Sequence, residues 1–92
     1  MFQGQLNLDA AVSAEAGADG DVLFELGMLH ASGRAGPVDL IAAHKWFNLA
    51  AMRGSEIAKS WRAQISAEMS ASQIAEAQRL AREFIGFFKT AV

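Results

Sequence analysis

The chain has 92 residues, 52% of them hydrophobic and 20% charged, with a net charge of −2 and no cysteine. That balance describes one small globular domain and excludes disulfides, thiolate chemistry and cysteine-ligated zinc. The eight basic residues are scattered, so no cationic face forms of the kind that neutralises phosphates, and nucleic acid is not an expected partner.

Residues 1–18 read as a lead-in, with a short helix over Asp9 to Ala16 capped by Asp9 and stopped at Gly17. A basic leader followed by an apolar run is missing, so no signal peptide is read there. Nor does any stretch approach the roughly 18 apolar residues that span a bilayer. The expected location is cytoplasmic.

Residues 19–54 form the first unit. Ala18-Asp19-Gly20-Asp21 is a turn that offers a helix cap, after which Val22, Leu26 and Leu29 recur at helical spacing, flanked by Leu23 and His30. Gly33-Arg34-Ala35-Gly36-Pro37 breaks this helix. A second helix is predicted from about Val38 to Arg53, its apolar face carrying Leu40, Ala43, Phe47 and Ala50 and widened by Trp46 and Leu49. Gly54 suits a left-handed cap at its end.

Residues 55–92 form the second unit. Ser55 caps a third helix bearing Ile57, Ala58, Trp61 and Ile65. Ser70-Ala71-Ser72-Gln73 is a capping box, in which serine and glutamine each satisfy an orphan backbone donor. It opens a last helix striped by Ile74, Ala77, Ala81, Phe84 and Phe88. The two units repeat weakly: Val22, Leu26 and His30 align with Ile57, Trp61 and Ile65, and Ala43, Trp46 and Ala50 with Ala77, Leu80 and Phe84. A period of roughly 34–35 residues built from helix pairs marks an α-solenoid. The expected fold is therefore all-α, made of antiparallel helix hairpins.

The run Leu26-Gly27-Met28-Leu29-His30-Ala31-Ser32-Gly33, then Pro37-Val38-Asp39, then Ala43 to Gly54 through Trp46, Phe47, Ala50 and Ala51, resembles the Sel1-like repeat. The match covers residues 19–58, and Arg62 to Phe84 resembles the degenerate helix pair that often closes such arrays. Each matching position has a physical use. Gly27, Ala43 and Ala50 allow close helix crossing, Trp46 and Phe47 fill the space between hairpins, and Asp39 caps the second helix. The chain departs from the pattern at His30, where tyrosine is usual, at Ala35-Gly36 in the turn, and at Arg62 or Ala63, where glycine is expected. The resemblance implies a right-handed superhelix that serves as an adaptor or small accessory subunit of a larger bacterial assembly, without catalytic activity. It also implies a concave surface lined by the first helix of each pair, with Phe24 and Met28 facing it in the first unit and Lys59 in the second.

Chemistry of other kinds finds little support. His30 and His44, the two histidines, are placed at a similar level on adjacent helices, but zinc takes three or four ligands and no third residue stands at a telling spacing. No serine lies in a nucleophile elbow, and no glycine run cradles a phosphate. Glu76 and Glu83 read as a solvated face. No cofactor and no enzymatic activity are expected.

Two apolar features stand apart. Trp61 is core by its spacing with Ile57 and Ile65, or a partial surface anchor if the repeat register shifts. In Phe84-Ile85-Gly86-Phe87-Phe88-Lys89, Ile85 and Phe87 fall off the stripe that ends at Phe88. Terminal repeats normally present a polar outer face, so Ile85, Phe87 and Phe88 are candidate docking residues for a partner or a second copy. A homodimeric regulator is one rival. Attachment to a membrane complex through the last helix is another, disfavoured because Glu76 and Glu83 offset Arg79, Arg82 and Lys89.

Overall fold

A computed structural model of the protein describes the backbone of residues 20–91 and the side chains of residues 20–86. The lead-in over 1–18 and its short helix lie outside the described residues. Four helices follow: α1 (Gly20–Ser32), α2 (Leu40–Met52), α3 (Glu56–Ser66) and α4 (Ala71–Ala91). Among the described residues there is no strand, and the fold is all-α.

Local chemistry sets the ends of these helices. Gly33, at φ +81°, turns the chain out of α1, and the Asp39 amide donates back to the His30 carbonyl at 3.0 Å. The Asp39 carboxylate then accepts from the Ala42 amide at 3.0 Å. This cap fixes the start of α2 at Leu40 rather than at Val38, because Asp39 itself is extended. Val38 is left outside the helix and 57% exposed.

Gly54, at φ +97°, closes α2. Its amide donates to the Ala51 carbonyl, and the Ser55 amide to the Ala50 carbonyl, at 3.0 and 3.1 Å. This pairing satisfies two terminal carbonyls at once. Ser55 then accepts from the Ala58 amide at 3.2 Å and opens α3. At the head of α4, the Gln73 amide donates to Ser70 Oγ at 3.1 Å, while Gln73 Oε1 accepts from the Ser70 amide at 2.8 Å.

Contacts along α2 give the directions of the other helices. Gly20 sits against Ala50 and Ser55, and Gly27 against Phe47, so α1 runs antiparallel to α2. Asn48 meets Arg62 and His44 meets Ser66, so α3 is antiparallel to α2 as well. Leu40 and Ile41 share a cleft with Gln73, whereas Trp46 meets Phe84; α4 therefore runs with α2. The extensive helix–helix packing all passes through α2, which carries α1, α3 and α4. The second pair is thus looser than the first. α3 and α4 are joined by a short turn but rest on α2 more than on each other, since Trp61 of α3 stacks on Phe47 of α2.

Phe47 is wholly buried at the centre, with Leu23 and Leu26 of α1, Ala58 and Ile65 of α3, and Ala77 and Ala81 of α4 also buried. The expected core loses two residues. Val22 is 38% exposed and Ile57 54% exposed. On α1 the buried line is Gly20, Leu23, Leu26 and Gly27, because the glycines let that side sink against α2, and Val22 turns out of it. On α3 the buried line passes through Ala58 and Ile65, which leaves Ile57 facing outward.

Candidate functional site

Across the α1, α2 and α3 face runs a row of three aromatic rings. The Phe24 centroid lies 5.7 Å from that of Phe47, and the Trp61 ring stacks on Phe47 at 6.3 Å. Phe47 forms the buried floor, while Phe24 and Trp61 are half-buried flanks. Met28 is one helical turn beyond Phe24, and Ile57 one turn before Trp61, so each sits on the same side of its helix as the ring it neighbours. Met28 is half-buried and packed on the core, and Ile57 is largely exposed. Four apolar side chains from two helices thus frame one buried ring.

Of the residues expected at a partner surface, the structure brings Phe24 and Met28 to this strip. Lys59 is not part of it. It is exposed and ion-paired with Glu56 at 3.1 Å, and two residues of helix place it about 200° around α3 from Trp61. Ile85 is half-buried and packs against the core, so this part of the α4 tip helps to close the fold. The side chains of Phe87 and Phe88 lie outside the described residues. Trp61 combines the two roles that its spacing left open, with one ring face on the core and the rest at the surface. Ile57 joins the strip although its spacing suggests core; the signal that finds it is the four-residue step to Trp61.

Two polar clusters tie neighbouring helices to α2. Between α2 and α3, Arg62 Nη1 donates to Asn48 Oδ1 at 2.6 Å. Nearby, His44 Nε2 and Ser66 Oγ are 3.1 Å apart. The Ser66 hydroxyl donates to the Arg62 carbonyl at 2.7 Å, so Nε2 must carry the proton that Ser66 accepts. Nδ1 is then a bare acceptor, buried and without a hydrogen-bond partner. Burial, and next the Arg62 charge, hold the His44 pKa below its ordinary value, against a smaller opposing pull from its own backbone. His44 is turned to α3 and so is not set beside His30 of α1 as a ligand pair. Among the described residues no three metal-ligating side chains cluster.

The second cluster joins α4 to α2. Lys45 Nζ lies 4.3 Å from the Trp46 ring centroid and 5.1 Å from that of Phe84, and these two rings meet edge-on at 5.2 Å. Burial lowers the Lys45 pKa. On the outer side of α4, Arg79 bonds both Glu76 and Glu83, the solvated face expected of those acids. An open cleft of about 580 Å³ lies between the α1–α2 loop and the α3–α4 turn. Of its polar groups, Asp39 is engaged in capping α2 and Gln73 in capping α4. No described helix is long and apolar enough to cross a membrane.

No family model, curated protein or solved structure matches this chain.

Proposed function

We propose that this protein is a non-catalytic protein-interaction module of the Sel1-like kind, acting as an adaptor or small accessory subunit that holds an apolar segment of another protein against its α1/α3 face. The observation that carries this is the framed ring: Phe24, Met28, Ile57 and Trp61 around Phe47, with Ile57 54% exposed. Rigid aromatic side chains beside a water-excluding centre are the usual anchors of binding energy at interfaces. An exposed isoleucine forgoes ~1.5–3 kcal/mol of burial that an interface recovers.

The Sel1-like assignment is supported by features that each match the repeat pattern. Gly27 abuts Phe47, Asp39 caps the second helix of the pair, Gly54 ends it, and α4 runs with α2 as successive units of a solenoid do. A cytoplasmic setting is proposed on the absence of cysteine.

A photo-crosslinking amino acid at position 57, carried by the protein in its native cell, tests the face directly. The expected product is a discrete adduct with one other protein, lost when the crosslinker is moved to position 78 on the outer side of α4. Adducts from position 78 and none from 57 would move the docking surface to α4. Adducts only with a second copy of the chain would replace the adaptor by a self-association module.

A further inference from the structure

His44 is 3% exposed, yet neither the hydrophobic core nor the proposed interaction strip needs a titratable ring there. We propose that His44 is a pH-sensitive clasp between α2 and α3, closed when the ring is neutral and released when it is protonated, so that mild acid frees α3 from α2.

The geometry supplies the mechanism. In the neutral ring Nε2–H donates to Ser66 Oγ and the bare Nδ1 faces no partner. Protonation adds a hydrogen at Nδ1, where only the His44 backbone offers it a weak compensating pull, and it places a full positive charge in a desolvated seam. The Arg62 guanidinium sits on the same seam, tethered to Asn48, and repels that charge. Among the described residues no acid acts on the ring: Glu68, past the end of α3, lines the cleft beside Leu40 and Ile41. α4 presents Ala77 and Ala81 towards the core, while its Glu76 and Glu83 are tied to Arg79 on the outer side. Lys45, the next residue on α2, is turned to Trp46 and Phe84. On α1, Glu25 pairs with Arg34 at 4.0 Å. Among the described residues, Arg62 is the charged group that acts on His44.

The sign follows from linkage. In the closed state the His44 pKa lies below the ordinary 6.5, and in the released state it returns to that value. At pH well above 6.5 neither state binds the proton and the clasp is fully effective. As the pH falls from 6.5 towards the lowered value of the closed state, only the released state gains a proton, and the release equilibrium grows by up to about tenfold per unit. Release would separate Trp61 from Phe47. Its effect on partner binding rests on the proposed function, whereas the clasp itself does not.

The test uses the full chain and no partner. Denaturant unfolding of wild type and of His44→Gln is compared at pH 7.5 and 5.5, together with hydrogen exchange over residues 56–66. Glutamine keeps a donor for Ser66 and cannot titrate, and every other group is the same in both proteins. The expected result is an unfolding constant larger at pH 5.5 than at 7.5 in wild type, by up to about tenfold, with α3 losing protection before α1, and no such rise in His44→Gln. An equal pH effect in both proteins would overturn the clasp. If His44→Gln does not fold, the ring titration of wild-type His44 by nuclear magnetic resonance decides: a midpoint below 6.5 supports the clasp, and one at or above 6.5 refutes it.

Discussion

A methyl group at position 27 would be driven into the Phe47 ring. Phe47 has nowhere to retreat, since it is fully buried and in ring contact with both Phe24 and Trp61. Gly27→Ala therefore sets two effects against each other. Alanine gains up to about 1 kcal/mol of helix propensity, and overpacking costs about 1–3 kcal/mol, occasionally more. With the added carbon overlapping a core ring, overpacking wins, and denaturant unfolding should show a net loss of about 1–2 kcal/mol. An unchanged or raised stability would mean that α1 slides off α2 at little cost. The use of Gly27 is legible in sequence because glycine inside a helix is costly and is kept where backbones approach. The positions of Val22 and Ile57 are not. Val22 and Leu23 are adjacent and both apolar, so spacing allows either to face inward. The tie is broken by Gly20 and Gly27, which sink one side of α1 against α2.

Caps were the most legible elements because their chemistry is local. Asp39, Ser55, Ser70 with Gln73, and Gly54 each do what their residue type and position indicate. The capping box at the head of α4 matters beyond its own turn, since α4 has little support from α3 and is held to α2 through Ala77, Ala81 and Phe84. Ser70→Ala should cost about 0.5–2 kcal/mol in thermal or chemical unfolding, because the Gln73 amide loses its acceptor. No loss would show that water replaces the hydroxyl there. The looser pairing of α3 with α4 was not legible, because helical period reports which side of a helix is apolar but not which neighbour it meets. The stacking of Trp61 on Phe47, 14 positions earlier in the chain, is a long-range choice of this kind.

Among the described residues, three helices are arranged on one, α2. α2 contributes the buried Phe47 and Trp46, the clasp at His44, and the lysine that bridges the Trp46 and Phe84 rings. On this frame the Sel1-like resemblance implies Phe24 and Met28 as concave-surface residues of the first unit; Phe24 is one of the three rings, and Met28 lies one turn beyond it. The same resemblance implies Lys59 in the second unit, where helical geometry brings Ile57 and Trp61 to the row instead. The central claim is that this strip is where another protein docks. Its most direct test is the affinity of Ile57→Asp for the partner captured by crosslinking at position 57, measured by titration calorimetry beside wild type. Aspartate in the first turn of α3 interacts favourably with the helix dipole, and position 57 is largely exposed, so the fold should change in stability by less than about 1 kcal/mol. A charge one helical turn from Trp61 on the docking face should nevertheless weaken binding by at least about tenfold, or ~1.4 kcal/mol. Binding at wild-type strength by a folded Ile57→Asp protein would contradict the claim.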